Sequence, residues 1–198
     1  MNKFFKSLYL QQRLFIALGI LVVLFVFAFF FDRLIAYLIL GLLTVIGLLI
    51  LDILFLYRTK NAIKASRNLP DKLSNGDKNP LEILVTNLYN TAVYVKIIDE
   101  LPVQFQERDF EMNDIIQSEA SRTFSYAIRP TERGEYHFGG LQIFASTTLG
   151  FAQRKFSFNQ DAMVPNYPSF LQLRKYELMA FTNKLRDYGL KKIRRIGH

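Results

Sequence analysis

Two long uncharged runs near the N-terminus constrain this chain more than any other feature of its sequence. Leu14 to Phe31 reads "LFIALGILVVLFVFAFFF" and Leu34 to Leu51 reads "LIAYLILGLLTVIGLLIL", eighteen residues each without a charge. A helix rises about 1.5 Å per residue, so each run approaches the roughly 30 Å thickness of a bilayer's hydrocarbon core. The sequence therefore predicts two transmembrane helices, at about residues 14–31 and 34–57, within a membrane segment that covers residues 1–60.

Two other interpretations of these runs are less favoured. A cleaved signal peptide would need a shorter apolar core and a small-residue cleavage site, whereas the second run follows the first directly. Buried helices of a soluble protein normally keep a polar face, and neither run has one. Because only Asp32 and Arg33 separate the two runs, we expect a tight helical hairpin.

Basic residues predict the orientation of this hairpin. One of them, Arg33, lies in the turn, and seven flank the two open ends: Lys3, Lys6, Arg13, Arg58, Lys60, Lys64 and Arg67. The positive-inside rule then predicts that both ends are cytoplasmic. Asp52, near the end of the second run, is interpreted as an interface residue that reaches the lipid headgroups. The segment "FFKSLYLQQR" before the first run is expected to lie along the membrane interface.

The net charge of +8 is distributed unevenly along the chain. Residues 1–60 carry six basic and two acidic side chains (+4), residues 61–170 carry eleven and thirteen (−2), and residues 171–198 carry eight and two (+6). The basic excess thus flanks a slightly acidic middle, which favours the lipid bilayer over a nucleic acid as partner. The absence of cysteine excludes disulfides and thiolate metal sites.

After residue 60, apolar residues come in short runs bounded by turn residues. "LEILVTN" at Leu81–Asn87 and "AVYVKII" at Ala92–Ile98 predict an antiparallel hairpin because they are rich in β-branched and aromatic residues. Further strands are predicted at Val103–Phe105, Arg122–Ile128, Glu135–Phe144 and Phe151–Phe158. This pattern predicts an all-β sandwich of immunoglobulin-like type over residues 61–168, followed by a basic helical linker at residues 169–198.

No group of residues in the sequence predicts catalysis or cofactor binding. Four glycines lack the spacing of a dinucleotide fingerprint or a phosphate-binding loop, and we expect them in turns or bulges: Gly134, Gly139, Gly140 and Gly150. His137 and Glu135 share one face of a strand, but no further metal ligand lies near them in sequence. Asp99 and Glu100 are adjacent on a strand and therefore point apart. We predict a protein without enzyme activity, cofactor or metal.

Several stretches together resemble bacterial membrane proteins of the domain of unknown function 58 family. They are the hairpin, "DELP" at Asp99–Pro102, "VPNYPSF" at Val164–Phe170 and, most specifically, an Arg-Pro-x-x-Arg-Gly-x-Tyr run followed by a Leu-Gly-Phe turn. The family-like residues, of unknown role, are Arg129, Pro130, Arg133, Gly134, Tyr136, Leu149 and Gly150. The resemblance covers nearly the whole chain and implies the N-terminal part of such a protein. The family's von Willebrand factor A-like domain is then expected beyond residue 198, since no Asp-x-Ser-x-Ser motif occurs here.

The resemblance also implies a functional setting. Family members are commonly encoded beside MoxR-type AAA+ ATPases and other von Willebrand factor A membrane proteins. The resulting hypothesis is a cytoplasmic sandwich, held at the bacterial inner membrane, that acts as a platform for protein–protein interaction in an envelope assembly or chaperone-like system. Two alternatives stay open: a periplasm-facing binding or adhesion module, and a membrane-bound enzyme whose catalytic domain is missing from this chain.

Overall fold

A computed structural model describes residues 3–106, 110–158 and 160–169 of the chain. The segment predicted as a basic linker lies outside these residues except for Ser169. The described chain begins with three helices and one short strand, whose bounds are α1 Lys3–Ser7, β1 Leu8–Leu10, α2 Gln12–Ala28 and α3 Asp32–Arg58.

Helices α2 and α3 are largely apolar and pack against each other. The stretch from Leu34 to Arg58 is long and apolar enough to cross a membrane, whereas α2, with 17 residues, is a shorter apolar helix. The first predicted span extended to residue 31, but the helix ends at Ala28. The prediction of a long apolar helix followed by an all-β sandwich is confirmed.

The sandwich is formed by three sheets of the described residues. Their strands are β2 Ile63–Asn68, β3 Leu73–Ser74, β4 Asn79–Asn87, β5 Val93–Asp99, β6 Glu111–Ile116, β7 Ser121–Ile128, β8 Gly134–Phe138, β9 Leu141–Ser146, β10 Ala152–Phe158 and β11 Ala162–Tyr167. The sheet orders are β1-β10-β9-β5-β6, β2-β4-β7 and β3-β11-β8. Strand β3 pairs with β11 in parallel, and the other pairs are antiparallel.

Alternation of apolar and polar residues builds the core between the sheets. In β4 every second residue is buried, so that Leu81, Ile83 and Val85 face inward. The main cluster joins β4, β5, β9 and the last turns of α3, where Leu56 is fully buried. A smaller cluster around Tyr136 and Phe138 fills the other end of the sandwich.

Three sequence predictions of local structure are wrong. Val103–Phe105 is a 3₁₀ helix instead of a strand, because the preceding Pro102 turns the chain and the run is only three residues long. The predicted strand Glu135–Phe144 is two strands of different sheets, β8 and β9, separated at Gly139 and Gly140. The predicted antiparallel hairpin of Leu81–Asn87 and Ala92–Ile98 does not form, because β4 pairs with β2 and β7 whereas β5 pairs with β6 and β9 in another sheet.

The strand registers define two ends of the sandwich. The helix end is the end of the sandwich at which α3 joins it. Ile63 follows α3 closely and pairs with Asn87, so this end of the sheets contains the turns at residues 88–92, 117–120 and 147–151. The far end holds the turn that follows Ile128, which pairs with Asn79 at the opposite end of β4. Strand β4 has nine residues, so the two ends are roughly 26 Å apart at about 3.3 Å per residue.

Candidate functional site at the joint between helix and sandwich

Asp52 of α3 is the centre of the joint between the helix and the sandwich. Its side chain is buried, with 1% of the residue exposed. The carboxylate accepts hydrogen bonds from the backbone N–H groups of Phe151 and Ala152, both at 2.9 Å, and from the hydroxyl of Thr147. The interpretation of Asp52 as a headgroup-facing residue is therefore wrong. A carboxylate emerging from an apolar helix needs strong donors, and the turn before β10 supplies them.

Arg154 of β10 binds the C-terminal end of α3. Its guanidinium donates to the carbonyl oxygens of Leu56, Thr59 and Lys60 at 2.7–2.8 Å. The last carbonyls of a helix have no partners within the helix and carry a partial negative charge, so a cation stabilises them. The guanidinium also lies 4.6 Å from the ring centroid of Tyr57. Asp52 and Arg154 together fix α3 to β10 at two levels of the helix.

Two buried residues of the β4–β5 connection complete the joint. Tyr89 donates its hydroxyl to the Leu56 carbonyl at 2.8 Å, and its ring stacks on Phe55. Burial raises the pKa of Tyr89 to about 12, so the hydroxyl remains a donor at neutral pH. Asn87 donates to the carbonyls of Thr91, Ile116 and Gln117, which ties the turns of the helix end together.

The segment before α2 is also bound to the sandwich. Strand β1, Leu8–Leu10, pairs with β10 and continues to Gln11, whose N–H donates to the Phe151 carbonyl at 2.9 Å. The hydroxyls of Ser7 and Tyr57 are 2.8 Å apart, which links α1 to the end of α3. We expected this segment to lie along the membrane interface, but its strand belongs to a sheet of the sandwich. The pairing with β10 was not predicted because the partner strand is remote in sequence.

Leu149 and Gly150 of the family-like set lie in the turn that Asp52 binds. Gly150 has φ +67°, a conformation that a residue with a Cβ adopts at a cost. A Cβ there would also stand 3.0 Å from the Arg13 guanidinium, which donates to the Thr148 carbonyl. The turn is thus held between α3 on one side and the start of α2 on the other.

The remaining family-like residues lie at the far end. Tyr136 is buried, and its hydroxyl donates to the Glu132 carbonyl at 2.9 Å, as the tyrosine corner of immunoglobulin-like sandwiches bonds its own upstream backbone. Arg129 donates to the Gly76 carbonyl, while the Pro130 carbonyl accepts from the Gly76 N–H. Gly134 has φ +133°, and Arg133 is exposed to solvent. The two parts of the motif therefore serve opposite ends of the molecule.

A buried ion pair closes the core at the far end. Arg67 of β2 contacts Asp99 at the end of β5, and their side chains are 1% and 0% exposed. Arg67 also donates to the carbonyls of Gly139 and Gln160, and Tyr126 donates to Asp99. Burial, and next the negative charge of Asp99, raise the pKa of Tyr126. Arg67, which the sequence analysis counted among the membrane-flanking cations, is thus an interior residue of the sandwich.

The other candidate residues are on the surface or bind the backbone. His137 Nε2 is 3.6 Å from Glu135, and both side chains are largely exposed. Within residues 3–106, 110–158 and 160–169, no three histidine or carboxylate side chains converge on a metal-sized site. Glu100 accepts from the N–H of Gly140.

No family model matches the chain, and no curated protein matches it. The solved structures similar to it include a PapD-like domain of human CEP192, with 11% identity and a TM-score of 0.40 over 55% of this chain and 87% of that one. A CARDB domain from Pyrococcus furiosus has 11% identity and a TM-score of 0.34, and covers 53% and 87%. A chain of the human complex of zinc 2-glycoprotein and prolactin inducible protein has 13% identity and a TM-score of 0.40, and covers 53% and 93%.

The sequence analysis missed Arg154, Asn87 and Tyr89 as residues of the joint. A partial signal existed for Asp52, because a lone carboxylate at the end of a long apolar run needs compensating donors. Its partners lie 95 to 100 residues later in the chain, so nothing local could identify them. Arg154 lies between Gln153 and Lys155 in β10, so the sequence does not distinguish it from a surface residue.

Proposed function

We propose that this chain is the membrane-anchored part of a domain of unknown function 58 family protein, with an immunoglobulin-like sandwich on the cytoplasmic face of the bacterial inner membrane. In this proposal α2 and α3 form a transmembrane hairpin. The sandwich is a platform for protein–protein interaction, with a MoxR-type AAA+ ATPase and von Willebrand factor A membrane proteins as partners. The observation that carries the proposal is the joint, which gives the sandwich a fixed orientation relative to an apolar helix.

The exposed surface of the helices supports the membrane anchor. Large apolar side chains cover both helices and remain open to the surroundings, among them Val22, Phe27, Leu40 and Leu43. A continuous apolar surface of this kind is rare on a soluble protein and matches the interior of a bilayer.

The pairing of β1 with β10 supports a hairpin with both ends on one side of the membrane. Strand β1 precedes α2, whereas β10 follows α3 by almost a hundred residues, yet the two strands are hydrogen-bonded neighbours. If both helices enter the bilayer, they must return to the same side for this pair to form. The basic residues at the two open ends then favour the cytoplasm.

The far end supports the role of an interaction platform. Residues 131–135 and His137 are all exposed, while Pro130 and Tyr136 anchor the turn from inside. A rigid backbone that displays polar side chains loses little conformational entropy on binding a partner. Attachment to the membrane also raises the local concentration of the sandwich for partners at the same surface.

Cysteine labelling tests the topology, because the native chain contains no cysteine. Ser125→Cys places a thiol on the exposed face of β7, and Phe30→Cys places one in the turn between the helices. In right-side-out vesicles we expect a membrane-impermeant maleimide to label Phe30→Cys, and to label Ser125→Cys only after permeabilisation. The reverse pattern would support the periplasm-facing alternative, and labelling of both would contradict the transmembrane hairpin.

Site-specific photocrosslinking tests the platform. A photoreactive residue at Arg133 lies in the exposed far-end turn, and the matched control at Ser125 lies on the side of the sandwich. We expect crosslinks from position 133 to a MoxR-type ATPase or a von Willebrand factor A protein, identified by mass spectrometry, and few from position 125. Equal crosslinking from both positions, or none to these partners, would argue against the proposed interaction.

A further inference from the structure

A pocket of about 350 Å³ lies between α3 and two turns at the helix end. Its apolar wall is made by Leu51 and Phe55 of α3 and by Leu149 of the β9–β10 turn, and its rim carries the threonines of both turns. Leu149 is a large apolar residue that is 42% exposed. Leu149 is part of a contiguous apolar surface with Leu51 and Phe55, and contiguous exposed apolar surface is typical of an interaction site.

The pocket is continuous with the exposed apolar surface of α3. Leu51 and Leu54 are 59% and 61% exposed, and they extend the apolar side chains that begin at Leu34. From Leu34 to Leu54 the helix rises about 30 Å, which equals the thickness of the hydrocarbon core. On the proposed transmembrane orientation, the pocket therefore lies at the boundary between the acyl chains and the headgroups.

Hydrogen bonds hold the turn that carries Leu149 in place at this boundary between acyl chains and headgroups. Asp52 binds the N–H groups on its C-terminal side, Arg13 binds the Thr148 carbonyl, and the Leu149 N–H donates to the Thr147 hydroxyl at 3.2 Å. Asp52 itself does not face the pocket as a free charge, because its two oxygens are occupied by donors of the turn. An apolar occupant is therefore compatible with the carboxylate in the wall.

We infer that the pocket between α3 and the β9–β10 turn is a lipid contact site, occupied by an acyl chain of a membrane phospholipid, with Leu149 inserted at the edge of the bilayer. This inference rests on the proposed transmembrane hairpin. It identifies the Leu-Gly-Phe turn as a second point of contact between the sandwich and the membrane. Helix α3 then fixes the position of the sandwich at the membrane, and the turn fixes the tilt of the sandwich relative to the membrane surface.

Single-tryptophan quenching tests the inference, because the chain has no tryptophan. The full chain is reconstituted in phosphatidylcholine vesicles whose acyl chains carry bromine at either a shallow or a deep position. Leu149→Trp reports the turn, Leu43→Trp reports the middle of α3, and Val103→Trp, at a residue 87% exposed at the far end, reports the aqueous side. Thr148→Trp provides a second reporter in the same turn, in case Leu149→Trp disturbs the fold.

We expect shallow bromines to remove most of the fluorescence of Leu149→Trp and deep bromines to quench Leu43→Trp, while Val103→Trp keeps its intensity. If Leu43→Trp is quenched but neither turn reporter is, the lipid contact is wrong and the transmembrane hairpin stands. If Leu43→Trp is also unquenched, the proposed membrane anchor fails as well. Quenching of the turn reporters to the same extent as Val103→Trp would likewise overturn the inference.

Discussion

At the helix end of the sandwich the charged side chains bind mainly backbone groups of another element, whereas at the far end they also bind each other. Asp52 and Arg154 take most of their partners from the main chain of another element. Arg67 and Asp99 form an ion pair, with Tyr126 as an additional donor to Asp99. The first arrangement fixes one segment of backbone against another, while the second adds an ion pair between two side chains of the core to the hydrogen bonds from Arg67 to backbone carbonyls.

This difference indicates two mechanical requirements within one domain. At the helix end the sheets must keep a fixed orientation relative to α3. Charge-assisted hydrogen bonds to backbone groups fix this orientation because they restrict both distance and angle. At the far end the turn at residues 131–135 is exposed to solvent. The buried Arg67–Asp99 ion pair stabilises the sandwich beneath this turn and leaves the side chains of the turn free to bind a partner. The following substitutions test this contrast.

The largest effect is expected from Asp99→Ala at the far end. The substitution leaves the Arg67 guanidinium buried without its partner, which costs about 3–5 kcal/mol of unfolding free energy. Denaturant unfolding in detergent micelles measures the loss. Asp114→Ala removes a partly exposed ion pair with Arg122 and serves as the control, with an expected cost of at most about 1 kcal/mol. Similar losses for both variants would remove the distinction between buried and surface pairs.

Asp52→Ala is expected to loosen the joint at a cost of about 2–3 kcal/mol, because two buried N–H groups lose their acceptor. Hydrogen exchange should then increase in residues 147–152 and at the end of α3, while the far end keeps its protection. Thr147→Val removes one donor but keeps the acceptor, so a smaller effect in the same residues is expected. Uniform loss of protection across the sandwich would show that the joint is not a separate unit.

Gly150→Ala is expected to cost about 1–2 kcal/mol, since alanine is disfavoured at φ +67°. The matched variant is Gly134→Ala at the far end, where φ is +133° and the added Cβ meets no atom. Both should lower the unfolding free energy, but only Gly150→Ala should also reduce the shallow-bromine quenching of a tryptophan at position 148. Unchanged quenching would mean that the turn keeps its place despite the strain.

Tyr89→Phe is expected to have the smallest effect at neutral pH, about 1 kcal/mol for the lost hydrogen bond. The pKa of Tyr89 is raised to about 12 in the folded protein, so its contribution is complete below pH 10 and is lost as pH rises from 10 to 12. The difference in unfolding free energy between wild type and Tyr89→Phe should therefore shrink over this range. A difference that stays constant to pH 12 would contradict the burial of this hydroxyl.

The sequence predicted those parts of the fold whose signal is local. The alternation in β4 and β5 identified two half-buried strands, and the two apolar runs identified the long helix. The pairing of these two strands as a hairpin was wrong, because β4 and β5 belong to different sheets. Strand β1 escaped prediction because it has three residues and its partner Arg154 is 146 positions from Leu8. The two strands β8 and β9 were predicted as one although the Gly139-Gly140 pair between them is a turn signal. A Cβ at Gly139 would lie 2.6 Å from the Glu100 side chain.

The candidate joint was harder to predict than the fold. Asp52 had two reasonable interpretations from sequence, a headgroup contact or a protein contact, and only the position of the β9–β10 turn distinguishes them. The family-like residues were identified as a set, but their separation onto two ends of the sandwich depends on strand register. Register is a property of pairing between distant segments, and a single sequence does not encode it locally.

The pairing of β1 with β10 has a consequence for any attempt to isolate the sandwich. A fragment that begins at residue 61 would lack β1, so β10 would present an unpaired row of backbone donors and acceptors at the edge of its sheet. It would also lack Leu56 and Phe55, which cover Tyr89. Unpaired edges and uncovered apolar surface promote edge-to-edge association of β domains. Sedimentation should therefore find such a fragment self-associated, because β1 is the strand that covers this sheet edge in the native domain.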